Sequence, residues 1–404
     1  MNILIINAFY YPNIIGGTEN SIKILAENLV QLGNNVTIYT LDGEKILDLN
    51  NPEIINKVKI YRGYSKEAYN TWKYNKRSIK SIITNRWHFL YNLKSNRDIF
   101  SIIKKEHIEI IHTNNLMSIS YGSWKIAKKM YIPVVHTLRD YWMMDPSTII
   151  DESNTIIRKI HSIFFKNISN KYIPFVTAPS QRVLEIFTSK NYFKYSSQKC
   201  IYNAVNLNRD ILLQCQKEKI NRTTTNIKFL YVGKLGEHKG IHILLSAFTS
   251  YKNSNISLHI CGNGPMESHV KKIAEKDKRI IYCGKLKTPE LEQVYKDADV
   301  LIVPSIWEEP FGRIVIEGAQ YALPTIGSDR GGIPEIIKML DYGKIYSSNS
   351  KKELLNSIKL YANRNIIKAD IQKIDKNLHL FSSDYQLKQF EQLYKFLIST
   401  TNTL

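Results

Sequence analysis

Short apolar runs alternate with longer mixed stretches along almost the whole chain. Runs at 3–6, 36–40, 108–111, 133–137, 175–180 and 200–206 fill the first half. The beat restarts at 229–233, continues in runs opening at Leu258 and Ile280, and closes at 300–304 and 324–327. A short run that is apolar on both faces and bounded by Gly, Pro or polar residues predicts a strand buried in a parallel sheet. Between the runs, Thr18 is placed to cap a helix that Gly33 ends. A helix at 313–320 follows from its position between two strands. From Asp384 to Leu397, Leu387, Phe390, Leu393, Tyr394 and Leu397 recur at helical spacing. Strand–helix alternation that begins twice predicts two doubly wound α/β domains, 1–210 and 225–383, separated near the polar run 217–226. A closing helix, 384–404, is left to pack back on the first domain.

Composition narrows the class. The 404 residues are 43% hydrophobic and 23% charged, ordinary for soluble globular protein with two cores. The start, Met1-Asn2-Ile3-Leu4-Ile5-Ile6, has no basic region ahead of its apolar residues and reads as a first strand. No window approaches the length of a membrane-spanning helix. Cys200, Cys215, Cys261 and Cys283 lack metal-ligand spacing and read as reduced thiols of a cytoplasmic protein.

Charge adds a partner. The net charge of +20 calls for an acidic one. Between Lys57 and His107 stand thirteen Lys or Arg against three acids, an excess of 10 out of 20. Tyr61, Tyr64, Tyr69, Trp72, Tyr74, Trp87, Phe89 and Tyr91 are interleaved with them. Basic and aromatic residues at helical spacing suit an anionic membrane surface or nucleic acid. No nucleic-acid motif accompanies the stretch, so this insertion, 57–107, is read as a peripheral membrane contact and no nucleic acid is expected.

Candidate chemistry falls where predicted strands end, since polar residues there line the crevice of an open α/β sheet. His112 ends one such strand; His136, Arg139 and Asp140 lie at the end of another. Gly16-Gly17 makes a tight turn after the first strand but lacks the dinucleotide fingerprint. Past Gly233, Lys234 and Lys239 bracket a strand-to-helix turn, a pattern that offers fixed positive charge to a diphosphate. Gly262 and Gly284-Lys285 mark the next two turns. In the stretch 300–335, Phe311-Gly312-Arg313 opens a helix whose backbone N–H groups suit an anion. Glu309 lies before that helix and Glu317 one turn inside it, so hydroxyls of a sugar and of a ribose suit the two carboxylates. Gly331-Gly332 precedes the following helix.

This stretch resembles the E-x7-E signature of glycosyltransferase family 4, retaining enzymes of GT-B fold, in its bacterial surface-polysaccharide type. Glu309 and Glu317 stand at the two motif glutamates, with Phe311-Gly312 between them and Gly331-Gly332-Ile333-Pro334-Glu335 downstream. The resemblance covers nearly the whole chain and implies two Rossmann-like domains facing across a cleft, the donor held by the second and the acceptor by the first. It implies a hexosyltransferase-like reaction: a sugar passes from a nucleoside-diphosphate sugar to a hydroxyl of a glycan or lipid-linked glycan. No metal or other cofactor is implied, and the histidines lack ligand spacing. Lys234 and Lys239 would stabilise the leaving group, Glu309 would hold the sugar and Glu317 the ribose. Gly16 and Gly17 would face the cleft, and the turn at Gly284-Lys285 would hold the base.

Two positions depart from the family pattern. Lys234 replaces an Arg, and Arg139 stands where many members have a His that touches the donor sugar; either Arg139 or His136 takes that role here. No protein group is an evident base for the acceptor, and the donor's phosphate oxygen would take its proton. Such an enzyme would work on the inner face of the cytoplasmic membrane. The rival readings are a sugar-nucleotide epimerase of the same architecture and a nucleic-acid-binding protein.

Overall fold

A computed structural model of the chain describes residues 1–14, 16–42, 47–65, 92–145 and 156–401, apart from the side chain of Ile157. The chain divides into two compact units, Met1–Ala204 with Ser383–Leu404, and Val205–Ser382.

The first unit is built on an eight-stranded sheet of β1 (Asn2–Ile6), β2 (Asn35–Asp42), β3 (Glu53–Ile55), β4 (Val58–Tyr64), β5 (Ile110–Thr113), β6 (Val134–Thr137), β7 (Phe175–Ala178) and β8 (Ser197–Cys200). Their order is β3-β4-β2-β1-β5-β6-β7-β8, parallel except for the edge strand β3. The helices α1 (Gly17–Gln31), α2 (Leu93–Lys105), α3 (Gly122–Lys129), α4 (Ile156–Tyr172) and α5 (Gln181–Thr188) belong to the same unit. Strands β5, β6 and β7 are buried at every residue, as expected of strands covered on both faces. The cap of α1 is Gly16, where Thr18 was expected: the Glu19 carboxylate reaches back to accept the Gly16 N–H at 2.9 Å.

The basic insertion is only partly a helix surface. Residues 58–64 form strand β4. There Tyr61 is fully buried, its hydroxyl donating to Glu106 at 2.6 Å, while Lys59 and Arg62 pair with Glu106 and Glu53. Positions 66–91, with Tyr69, Trp72, Tyr74, Trp87, Phe89 and Tyr91, lie outside the described residues.

The second unit carries a fully parallel sheet in the order β11-β10-β9-β12-β13-β14. Its strands are β9 (Ile227–Val232), β10 (Ile256–Cys261), β11 (Ile280–Gly284), β12 (Val300–Val303), β13 (Thr325–Ser328) and β14 (Lys344–Tyr346). Its helices are α6 (Arg209–Ile220), α7 (Ile241–Ser250), α8 (Glu267–Lys276), α9 (Thr288–Asp297), α10 (Arg313–Gln320), α11 (Ile333–Leu340), α12 (Lys351–Tyr361) and α13 (Arg364–Ile371). The polar run expected to divide the domains is in part α6 of this unit. Lys219 in it is 2% exposed and donates to the carbonyls of Tyr295 and Ala298, capping the end of α9. A lysine that reads as surface in the sequence is thus a buried cap, and burial lowers its pKa to about 7.

The chain's last helix, α14 (Ser383–Thr401), groups with the first unit. Leu387, Phe390, Leu393, Tyr394 and Leu397 join Ile22, Leu25, Ala26 and Leu29 of α1 in one buried core with Ile3, Ile5 and Ile38 of the sheet.

Candidate active site

In the second unit, the order of strands reverses direction between β9 and β12, which lie side by side. Loops leaving the C-terminal ends of such a pair part to opposite faces and open a crevice. Lys234 and Lys239 are on the loop after β9, Glu309 on the loop after β12. The two loops are tied together: the Ile306 N–H donates to the His238 carbonyl at 3.0 Å, and the Ser305 hydroxyl donates to it at 3.3 Å.

This tie brings Lys239 onto Glu309. The ammonium pairs with Oε1 of Glu309, which also accepts the Ser305 hydroxyl at 3.1 Å. The same ammonium lies 5.1 Å from the centre of the Trp307 ring. Both partners are largely buried, with side chains 25% and 13% exposed. Burial, and then the neighbouring Lys239 charge, hold the His238 imidazole below its usual pKa. Lys234 is exposed and forms no ion pair among the described residues.

A second loop fixes the backbone of Glu309. The Gly332 N–H donates to the Glu309 carbonyl at 2.8 Å, and the Gly331 N–H donates to Oε2 of Glu308 at 2.9 Å. Gly331 has φ +59°, and a Cβ there would stand 2.0 Å from the Glu309 carbonyl oxygen. Only glycine fits. Gly312, at φ +91°, caps α10, so the first N–H groups of that helix are free of side-chain caps. Phe311 beside it is 4% exposed. One turn into α10, Glu317 accepts from Nε of Arg313 at 2.7 Å, so the second motif carboxylate is already paired with a residue expected beside the phosphates.

The glycine turns after β9, β10 and β11 stack on one another. The Gly233 N–H donates to the Cys261 carbonyl at 3.0 Å, and the Gly262 N–H to the Gly284 carbonyl at 2.7 Å. A Cβ on Gly262 would meet the Gly233 oxygen at 1.8 Å. Lys285 follows on the surface.

In the first unit the same reversal lies between β1 and β5. Gly16 and Gly17 follow β1 and face open space. His112 does not line a crevice. It is fully buried, with Nδ1 2.6 Å from the Tyr394 hydroxyl and Nε2 2.6 Å from the Thr137 hydroxyl. Both ring nitrogens are taken by the protein, and burial keeps the ring neutral. Strand β5 ends two residues beyond the apolar run 108–111, at Thr113, so the residue past its end is Asn114. His136 lies inside β6, with Nδ1 2.9 Å from the Thr113 hydroxyl, and burial pushes its pKa down to about 3. It lines a small pocket with Asn114, Asn115, Arg139, Asp140 and Trp142.

Two family models tile the chain: one described as Glycosyltransferase Family 4 matches residues 15–209, and one described as Glycosyl transferases group 1 matches 214–377. The chain belongs to glycosyltransferase family 4. A Klebsiella pneumoniae chain described as an uncharacterized 42.6 kDa protein in the cps region is 27% identical, covering 98% of this chain and 100% of its own length. Among solved structures, a sucrose-phosphate synthase from Thermosynechococcus elongatus has a TM-score of 0.72 at 19% identity, covering 98% of this chain and 99% of its own. The Anabaena protein HepE in complex with UDP-glucose has a TM-score of 0.65 at 15% identity, covering 98% and 99%. The fold is GT-B, and the protein is a glycosyltransferase.

Within this glycosyltransferase the structure adds candidate site residues beyond those picked from the sequence. Ser305 orients Glu309, Trp307 backs Lys239, and Asn114 fills the pocket position expected of His112. Ser305 is the first polar residue past the apolar run 300–304, and Asn114 follows His112 and Thr113 past the run 108–111, which was the available signal. The expectation of metal-free chemistry took the chain to hold no Asp-x-Asp string, but Asp297-Ala298-Asp299 is one. Asp299 is 1% exposed and accepts from Arg222 and Arg364 at 2.8 and 2.9 Å, so its carboxylate anchors the fold.

Proposed function

We propose that this glycosyltransferase moves a sugar from a nucleoside-diphosphate sugar to a hydroxyl of a lipid-linked glycan in surface-polysaccharide synthesis, with retained anomeric configuration and no metal. The observation that carries this reading is the Lys239–Glu309 pair at the strand-order reversal of the second unit, beside the uncapped start of α10. In it, Lys239 and Lys234 offset the charge that develops on the departing diphosphate, and the N–H groups of α10 face its oxygens. Glu309 accepts from hydroxyls of the transferred sugar, and Glu317 from the ribose. His136, a weak base at a pKa of about 3, is poorly suited to deprotonate the acceptor, which favours the donor phosphate oxygen for that role. The UDP-glucose bound by the Anabaena neighbour and the cps region of the Klebsiella relative support the donor class and the setting. Membership of a transferase family favours transfer over the epimerase reading.

The donor class is tested by thermal unfolding with a panel of UDP-, GDP- and ADP-sugars. One class is expected to raise Tm, since a ligand at about 100 times its Kd adds about 2.7 kcal/mol. No shift with any of them would overturn the reading.

The membrane part has its own test. No helix of the described residues is long and apolar enough to cross a membrane. On α4, however, Ile156, Ile160 and Ile163 are 76%, 62% and 54% exposed at helical spacing, with Lys159 exposed among them. An apolar stripe edged by lysine suits an anionic surface. Vesicles with acidic headgroups are expected to sediment the protein at low salt and release it at high salt. Equal sedimentation by neutral vesicles would remove the electrostatic contact.

A further inference from the structure

The pocket at the ends of β5 and β6 holds a charge that pairs directly with no carboxylate among the described residues. Arg139 is 8% exposed; its Nε donates to Oδ1 of Asn114 at 3.0 Å and its Nη1 to Oδ1 of Asn203. Its Nη2 has no hydrogen-bond partner among the described residues, and neither has Nδ2 of Asn114, which is 1% exposed. Both residues line the pocket.

No carboxylate among the described residues forms an ion pair with Arg139. Asp140, next in sequence, is committed elsewhere: Oδ2 accepts from Asn115 at 2.6 Å and Oδ1 from the Trp142 N–H at 3.1 Å. Glu19 draws on the guanidinium only from a distance, while one of its oxygens accepts the Gly16 N–H. The His136 ring on the pocket wall is neutral and adds no negative charge. Burial lowers the Arg139 pKa only to about 10, so it stays charged at neutral pH.

Leaving a buried guanidinium and a buried amide each with an unused N–H is unfavourable, and the charge makes the first the more costly. A neutral hydroxyl could accept from both donors but would leave the charge uncompensated. A carboxylate or phosphate satisfies both donors and the charge together, and a guanidinium fork matches either. We propose that this pocket binds an oxyanion of the acceptor substrate, a carboxylate or a phosphate, through Nη2 of Arg139 and Nδ2 of Asn114. The ligand is called an acceptor only because the proposal rests on the transfer reading given above.

The test is calorimetric titration of the full-length protein at low salt with glucuronate, inorganic phosphate and, as the neutral control, glucose. Saturable binding of at least one oxyanion is expected, with none of glucose. Binding of glucuronate alone identifies a carboxylate, and of phosphate alone a phosphate. Arg139→Gln is expected to weaken that binding about tenfold or more. Arg139→Lys, which keeps the charge and loses the fork, is expected to fall between and serves if the first variant does not fold. Glucose bound as well as glucuronate, no saturation by either oxyanion, or wild-type affinity in the Arg139 variants would overturn the proposal. Neither oxyanion carries a nucleoside, so failure here leaves the nucleotide-sugar test standing, and the reverse also holds.

Discussion

Lys239→Ala lowers kcat about a hundredfold or more at saturating donor, the loss expected when a preorganised charge on a leaving group is removed. The change strips the ammonium from the crevice and leaves Glu309, whose side chain is 13% exposed, without its cation. Both effects act on the reacting end of the donor, so KM for the acceptor should move little. Steady-state kinetics on the purified variant decide it, and near-normal turnover would sink the assignment. Lys234→Arg, by contrast, should keep activity, because Lys234 is exposed and a guanidinium has room there.

The two motif glutamates are expected to separate by what they hold. Glu309→Ala cuts turnover sharply but leaves affinity for the free nucleoside diphosphate unchanged or slightly tighter. The tightening follows from the ion pair: without Glu309, the Lys239 charge is no longer offset. Glu317→Ala weakens donor and nucleotide product together, by about 1–3 kcal/mol, since the ribose is common to both. Its bond to Arg313 does not change the sign, because a carboxylate has a second oxygen to offer. Calorimetry with the free nucleotide measures both. Equal losses, or a larger loss for Glu309→Ala, would place the donor differently along α10.

Much of this was legible because parallel strands buried on both faces announce themselves as short apolar runs. The strands carrying the site, β9 and β12, were read where they lie, and Lys239 and Glu309 were picked from the turns beyond them. That the two side chains touch was not legible, since contact depends on which strands are neighbours. His112 misled for a simpler reason: a strand that ends two residues later than the apolar run turns a loop side chain into a core one. Tyr61 in the basic insertion and the polar run that holds Lys219 misled for another reason: their partners come from distant segments. Segment 58–64 looked helical through its aromatic and basic spacing but is recruited as a strand by β2, a pairing no local pattern encodes.

The helix α14 bears on the order in which the protein is made. Its apolar face supplies Phe390, Leu393, Tyr394 and Leu397 to the core of the first unit, and the Tyr394 hydroxyl reaches His112 in the central strand β5. Losing one large buried side chain costs about 2–5 kcal/mol, against a total stability of about 5–15 kcal/mol for a domain. Several at once exceed what a domain has to lose. Domains ordinarily fold in turn as they leave the ribosome, the earliest first. The first unit is therefore expected to stay short of its core while residues 205–382 are synthesised, and the second unit, later in sequence, to be the earlier to finish folding.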